Sequence, residues 1–357
     1  MNAFLSGVRV ILSLELRQRI RGTGWYVLLG IFVVLIGLVT MFAHLAFGGM
    51  GTELNGGAYS TIIYFVLLLG TLVAPALSGN AINGDREAGT LATTQITLVT
   101  TGQIVIGKFL AAWITALVFL AASVPFLVFA TISGGLDAAT ILISLAILAL
   151  ELGVVAAVGV GLSGILNRPL FSIVVSYLVV AALSIGTLIT FGLGGASVRT
   201  EQVSTYTYAS SYDSDGQPVC DGSEQTQTET YDVARFDLFW GVLVANPYIV
   251  LADAVPTQYT TDGYPSDLFG NIKLAIRTAQ VPPGDSISYN ECDAASNTGG
   301  GYGTGDATPP REIIESTVPS WFVGLAIQIV LAGLALVGAF LRTRTPAGRL
   351  PKGSRIA

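Results

Sequence analysis

The stretch AATILISLAILALELGVVAAVGVGLSG, residues 138–164, decides what kind of protein this is. It is apolar from end to end except for Glu151 near its middle. At about 1.5 Å per residue, a helix of about 20 residues crosses a hydrocarbon core of about 30 Å, so this run reads as a membrane span. Its apolar residues are continuous and do not alternate, which fits a helix and not a barrel strand. Five similar runs occupy 25–47, 59–80, 108–132, 170–194 and 320–341. Composition agrees: the chain is 52% hydrophobic and 11% charged, where a soluble domain carries about 25% charged residues. The sequence predicts an all-α polytopic membrane protein with six transmembrane helices.

Lysine and arginine placement gives the orientation. With the N-terminus inside, the inner segments hold 12 of the 17 basic residues. The other five (Arg199, Arg235, Lys273, Arg277, Arg311) lie in residues 195–319, together with 17 of the 23 acids, a formal charge of 5 − 17 = −12. Both termini are therefore expected in the cytoplasm, with 195–319 an acidic extracytoplasmic domain and 342–357 a basic cytoplasmic tail. The expected site is the plasma (inner) membrane, multi-pass, with no cleavable signal peptide before the first span. Alanine and glycine are abundant and lysine is rare, which points to a GC-rich bacterial genome.

Residues 1–24 read as an amphipathic interfacial helix. Leu5, Val8, Leu12 and Leu16 share one face, and Arg9, Ser13, Arg17 and Arg21 another, which suits a helix with its apolar side in lipid. In the outer segment, 204–230 and 294–310 read as loop or short-strand material. The apolar run 239–255 is broken by Asn246-Pro247 and is too short for a seventh span. It reads as a bent pair of short helices, either in the outer leaflet or under the outer domain. Cys220 and Cys292 both fall outside, where an oxidising compartment lets them pair. Such a disulfide closes a loop worth about 4 kcal/mol in the chain-entropy model; two free thiols are the alternative. No histidine lies near them in sequence, so no metal site is expected.

Glu151 is the sharpest intramembrane feature. A charge at mid-bilayer costs about 2.5–3.5 kcal/mol on insertion scales, so it must face a cavity or a partner. It reads either as a point on a substrate path or as a helix-to-helix hydrogen bond. The single histidine, His44, near the outer end of the first span, is a weaker candidate for the same path. Small residues at 153, 157, 161 and 164 thin the fourth span, and glycines at 186, 192 and 194 thin the fifth, letting helices approach closely.

Between the second and third spans, residues 81–107 form a polar insert that the topology places in the cytoplasm. Asp85, Arg86 and Glu87 form a charged cluster; Gly89, Thr90 and Leu91 follow; then come Ile96, Leu98 and helix-capping residues Thr100 and Thr101. A plain connection needs only a few residues. This one carries charged and apolar handles, as a docking surface does. Asp85-Arg86-Glu87-Ala88-Gly89-Thr90-Leu91, followed by Ile104-Val105-Ile106-Gly107-Lys108-Phe109-Leu110-Ala111-Ala112, resembles the permease subunits of type-2 ATP-binding-cassette (ABC) transporters. About 28 residues carry the motif; beyond them the resemblance is one of topology. The outer segment is longer than that family's usual one, so no substrate carries over.

The resemblance implies that the insert is a coupling helix seated on a separate cytoplasmic ATP-binding subunit. Asp85, Arg86 and Glu87 would be its polar anchors, in a charge network with Arg17 or Arg19, while Gly89, Thr90 and Leu91 shape and pack it. It implies two ATP-binding subunits, a second permease copy or homologue completing a dimer, and export of a drug, lipid, peptide or glycan-type substrate. ATP and Mg would sit on the partner subunit, with no cofactor on this chain. The chain has no Gly-x-x-x-x-Gly-Lys-Ser/Thr phosphate loop and no Ser–His–Asp candidates, so it is not expected to be an enzyme. Its basic residues hug the membrane and form no nucleic-acid stripe. A membrane receptor or scaffold using the acidic domain, and a proton-coupled carrier using Glu151, are the competing readings.

Overall fold

The structure is a computed structural model that describes residues 2–47, 56–91, 99–214, 217–220, 224–292 and 308–344. Among them are six helices long and apolar enough to cross a membrane. The chain opens with α1 (Asn2–Arg21) and α2 (Thr23–Phe47), the first span. Next come α3 (Gly56–Ser78) and the short α4 (Asn83–Glu87), then α5 (Thr101–Gly134) and α6 (Ala138–Ile165). The fifth span is α7 (Pro169–Ala181), a π-helical turn (Ala182–Gly186) and α8 (Thr187–Ser197); the sixth, near the other terminus, is Trp321–Thr343.

Between the fifth and sixth spans the expectation of an all-α protein needs amendment. Two ten-residue strands, β1 (Arg199–Tyr208) and β4 (Gln225–Ala234), pair antiparallel along their whole length. Ser286–Asn290, β5, adds in parallel on the other side of β1, giving the order β4-β1-β5. β2 (Ser211–Tyr212) and β3 (Pro218–Val219) form a small ribbon at the hairpin tip. Cys220 and Cys292 are joined by a disulfide, which ties the chain ahead of β4 to the end of β5. The expectation for 294–310 falls largely outside the described residues.

The run at 239–255 folds as α9 (Trp240–Leu243) and α10 (Pro247–Ala254), separated at Asn246-Pro247. Proline at the first helical position and Asn246 at the N-cap, accepting from Tyr248 N–H at 3.0 Å, explain the break. α10 is not laid on lipid. Val250, Leu251, Ala252 and Val255 are fully buried among the first four spans, beside Phe269 of α11 (Leu268–Thr278). The carboxylate of Asp253 fixes this junction. It pairs with Arg277 at 2.7 Å and accepts from the backbone N–H groups of Ser320 (2.6 Å) and Trp321 (3.0 Å), capping the sixth span (Trp321–Thr343). Asp267 caps α11 through Gly270 N–H at 2.7 Å, and burial pushes its carboxyl up to about 6.

The fourth and sixth spans pack closely along a glycine face. A Cβ at Gly161 would stand 2.5 Å from Cβ of Ala335, and one at Gly164 would stand 2.4 Å from Cβ of Ala339. Glycine is what permits that approach. Gly192 of the fifth span faces open space instead, and this span is the least buried of the six. Gly161→Ala is therefore expected to lose about 1–3 kcal/mol by overpacking, read as a lower melting temperature in detergent. Gly192→Ala, the control, should leave the melt unchanged or slightly raised.

Candidate functional site

The site is built at the end of the bundle that carries α1 and the insert. Lys108, about two turns into α5, is 3% exposed and lies between two carboxylates. It pairs with Glu15 of α1, and with Asp85 of α4 at 2.7 Å. One ammonium thus joins three elements. The third span begins with a capping box at Thr100 and Gln103, as the threonines at the end of the insert led one to expect. Gln103 also donates through Nε2 to the carbonyls of Ala3 and Phe4, both at 3.1 Å, fastening the start of α1.

α1 therefore differs from a helix resting in lipid on its apolar face. Val8 and Ile11 are buried against the third span. A Cβ on Gly7 or Gly107 would collide with Gln103 or Ile11. Leu5, expected on the same face as Val8, is exposed, and Leu12 and Leu16 are half-buried. Arg9, Arg17 and Arg21 lie exposed along the other side, as the spacing predicts.

The anchors expected in the insert divide into two groups. Arg86 turns inward, donating to Asn83 Oδ1 (2.8 Å), Leu166 O (3.1 Å) and Gly164 O (3.3 Å). It satisfies the last carbonyls of α6, where a cation suits the helix dipole. Ser163 Oγ of α6 returns the favour, accepting from the N–H groups of Ile82 and Asn83. Leu91 is buried with Ile82, Ile104, Val105 and Val160. Arg86 and Leu91 thus hold the insert onto the bundle. Glu87, Ala88, Gly89 and Thr90 are exposed. Gly89 has φ +68°, which only glycine adopts without strain, and this turns the chain from the exposed corner back to Leu91. The expected network with Arg17 or Arg19 is replaced by Lys108. Arg19 instead donates to Leu77 O (3.1 Å) and Thr115 Oγ1 (3.4 Å), deep between the second and third spans. Ile96 and Leu98 lie outside the described residues.

Further along the same helices is a cavity of about 680 Å³. It lies between α3, the fifth span around its π-turn, and α9 to α11. Leu72, Tyr177, Ile185, Leu188, Phe191 and Ile276 are among its walls. Its polar groups are already bonded within the protein. Tyr177 OH donates to Leu72 O (2.6 Å), and Thr71 and Tyr248 share a bond of 3.3 Å. Asn246 donates to Ser184 O (2.7 Å) and Thr187 Oγ1 (2.9 Å), holding the π-turn against α10. What remains for an occupant is apolar surface of the size small-molecule sites have. π-turns are frequent at functional sites.

Neither Glu151 nor His44 lines this cavity. Glu151 is 1% exposed and faces the side chain of Gln328 on the sixth span. Gln328 in turn donates to Ala245 O at 3.0 Å. His44 is exposed, its ring 5.5 Å from that of Phe129. Lys108, Tyr248 and Gln328 were given no site role by sequence reasoning, and Asn246 only that of breaking a helix. A lysine opening an apolar run and a glutamine inside the sixth span were the available signals. Neither a protein-family model nor a curated protein matches the chain.

Lys108→Met leaves two carboxylates without their cation. It should cost about 3 kcal/mol, the lower end for a broken buried pair because Asp85 is a third exposed. Thermal unfolding checks this, and Glu87→Ala should melt as wild type.

Proposed function

We propose that the chain is the transmembrane permease subunit of an ATP-driven ABC exporter. The insert would be its coupling helix, docked through the Glu87–Thr90 corner on a cytoplasmic ATP-binding subunit. The observation that carries this reading is the division of labour within the insert. Arg86, Leu91 and Asp85 bind it to the third and fourth spans, while a short corner that includes the acid Glu87 is exposed. A loop that merely connects spans has no use for that much anchoring. α3 leads from the cavity wall at Thr71 and Leu72 to the insert, and the turn between α3 and α4 keeps helical hydrogen bonds (Gly79 N–H to Pro75 O, 2.8 Å; Gly84 N–H to Asn80 O, 2.9 Å). A push at the corner is thus transmitted to the cavity.

In this reading both termini and the insert are cytoplasmic, and the sheet is outside. Two ATP-binding subunits carry ATP and Mg and do the hydrolysis, and a second permease copy or homologue completes the dimer. The cargo is apolar enough to enter from the hydrocarbon, because the cavity offers no free polar group. It moves outward as the second and fifth spans change their separation. Glu151 lies buried between the fourth and sixth spans and lines no part of the cavity, so the proton-coupled alternative has no carboxylate on this path.

The test is affinity purification of the tagged chain from its native cells, with Mg-ATP hydrolysis of the eluate as the readout. Wild type should retain an ATPase of nucleotide-binding-subunit size. Glu87→Arg, which keeps the fold because Glu87 supports nothing inside the bundle, should lose it by about tenfold or more, the effect of reversing a charge at a docked corner. An eluate without ATPase activity from wild type contradicts the proposal.

A further inference from the structure

The sheet between the fifth and sixth spans has one edge built unlike most. β4 pairs with β1 over ten residues with no bulge. Among the described residues no strand lies on its far side. Backbone alternation identifies the groups left over. Val203 N–H bonds to Asp285 O, so the odd residues of β1 face β5 and the even ones face β4. Their partners in β4 are Gln225, Gln227, Glu229, Tyr231 and Val233. The amides and carbonyls of Thr226, Thr228, Thr230 and Asp232 therefore point away from the sheet. Exposed edges are normally blunted by proline, lysine, bulges or shortness. β4, QTQTETYDVA, has none of these; its only guard is charge, and Glu229 and Asp232 are both acidic.

The side chains define what would pair there. On one face Glu229 accepts from Gln227 Nε2 at 2.7 Å and from Tyr231 OH. The hydrogen bond to Glu229 pushes the Tyr231 phenol up to about 12. Tyr206 and Tyr208 of β1 share that face with rings stacked at 6.2 Å, and Tyr289 of β5 follows at 6.3 Å. On the other face Asp232 lies opposite Glu201. From residue 200 to residue 234 the sequence has seven acidic residues and no lysine, arginine or histidine. Tyrosine faces beside carboxylates attract cations and repel acidic partners. The same charges oppose pairing with the β4 of a second copy.

We propose that β4 is a docking edge for an extended cationic peptide segment. The segment adds as a fourth strand and lays alternate lysine or arginine side chains against Glu229 and the tyrosine face. Main-chain bonds to Thr226, Thr228, Thr230 and Asp232 supply the affinity, and the acids select the charge. This is independent of any transport role for the spans.

The experiment uses the full chain in neutral phosphatidylcholine nanodiscs and a fluorescent peptide of alternating lysine and threonine as long as β4. Two control peptides accompany it, one with glutamate for lysine, the other N-methylated at alternate backbone amides. The lysine peptide should bind saturably and weaken in high salt. Both controls should bind at least about tenfold more weakly, one lacking the charge match and the other the ladder bonds. Thr228→Pro and Thr230→Pro remove outward N–H groups without touching the β1 ladder, a position where proline is tolerated. Each should weaken the lysine peptide by a similar factor. Equal binding of the glutamate or N-methylated peptide, or wild-type binding by the proline variants, would overturn the proposal. So would failure of the lysine peptide to bind at all.

Discussion

A single buried ammonium organises one end of this molecule. Lys108 lies about two turns into the third span, nine-tenths or more buried, and the cost of burying it is several kcal/mol unless it is paired. Glu15 and Asp85 supply the pairing. Because one belongs to α1 and the other to the insert, neither element can settle elsewhere without stranding the charge. α1 then lies along the third span, where Gly7 and Gly107 let the backbones approach, and α4 is brought under the end of the fourth span, within reach for Arg86 to cap its carbonyls.

The rest of the bundle divides into a tight part and a loose part. The fourth and sixth spans are locked through Gly161 and Gly164 and through the Glu151–Gln328 neighbours. Asp253 pins the sixth span to α10 and α11 at the other end. The fifth span has a π-turn, an open position at Gly192 and little burial. The cavity lies where the loose span meets α3, the helix that leads to the insert. This is an arrangement in which motion at the insert has one soft place to go.

Much of this was legible in sequence, for identifiable reasons. Continuous apolar runs have no reading in a soluble fold, and so the spans came within a few residues of their observed ends, save where the third helix begins earlier at its capping box. Asn246-Pro247 announced a helix break because both residues act locally. The sheet was not legible. β4 is largely exposed and β1 buries polar Gln202 and Ser204, so neither shows the apolar alternation that marks a strand, and β5 joins in parallel from about eighty residues away. Arg86 was taken for a docking anchor because its partners, the carbonyls of Gly164 and Leu166, are backbone groups that leave no trace in a sequence. Lys108 stood inside the quoted motif, but only the fold brings Glu15 to it.

The measurement closest to the central claim is the distance across the cavity during ATP turnover. Spin labels at Leu72 and Leu188, on the cavity walls, would be followed by pulsed dipolar spectroscopy in the complex with the proposed ATP-binding subunit. The account predicts that the distance distribution shifts when ATP binds, and that Lys108→Met, which frees the insert from the third span, abolishes the shift while ATP still binds. A distribution that ignores ATP in the wild-type complex, or a shift that survives Lys108→Met, would contradict it.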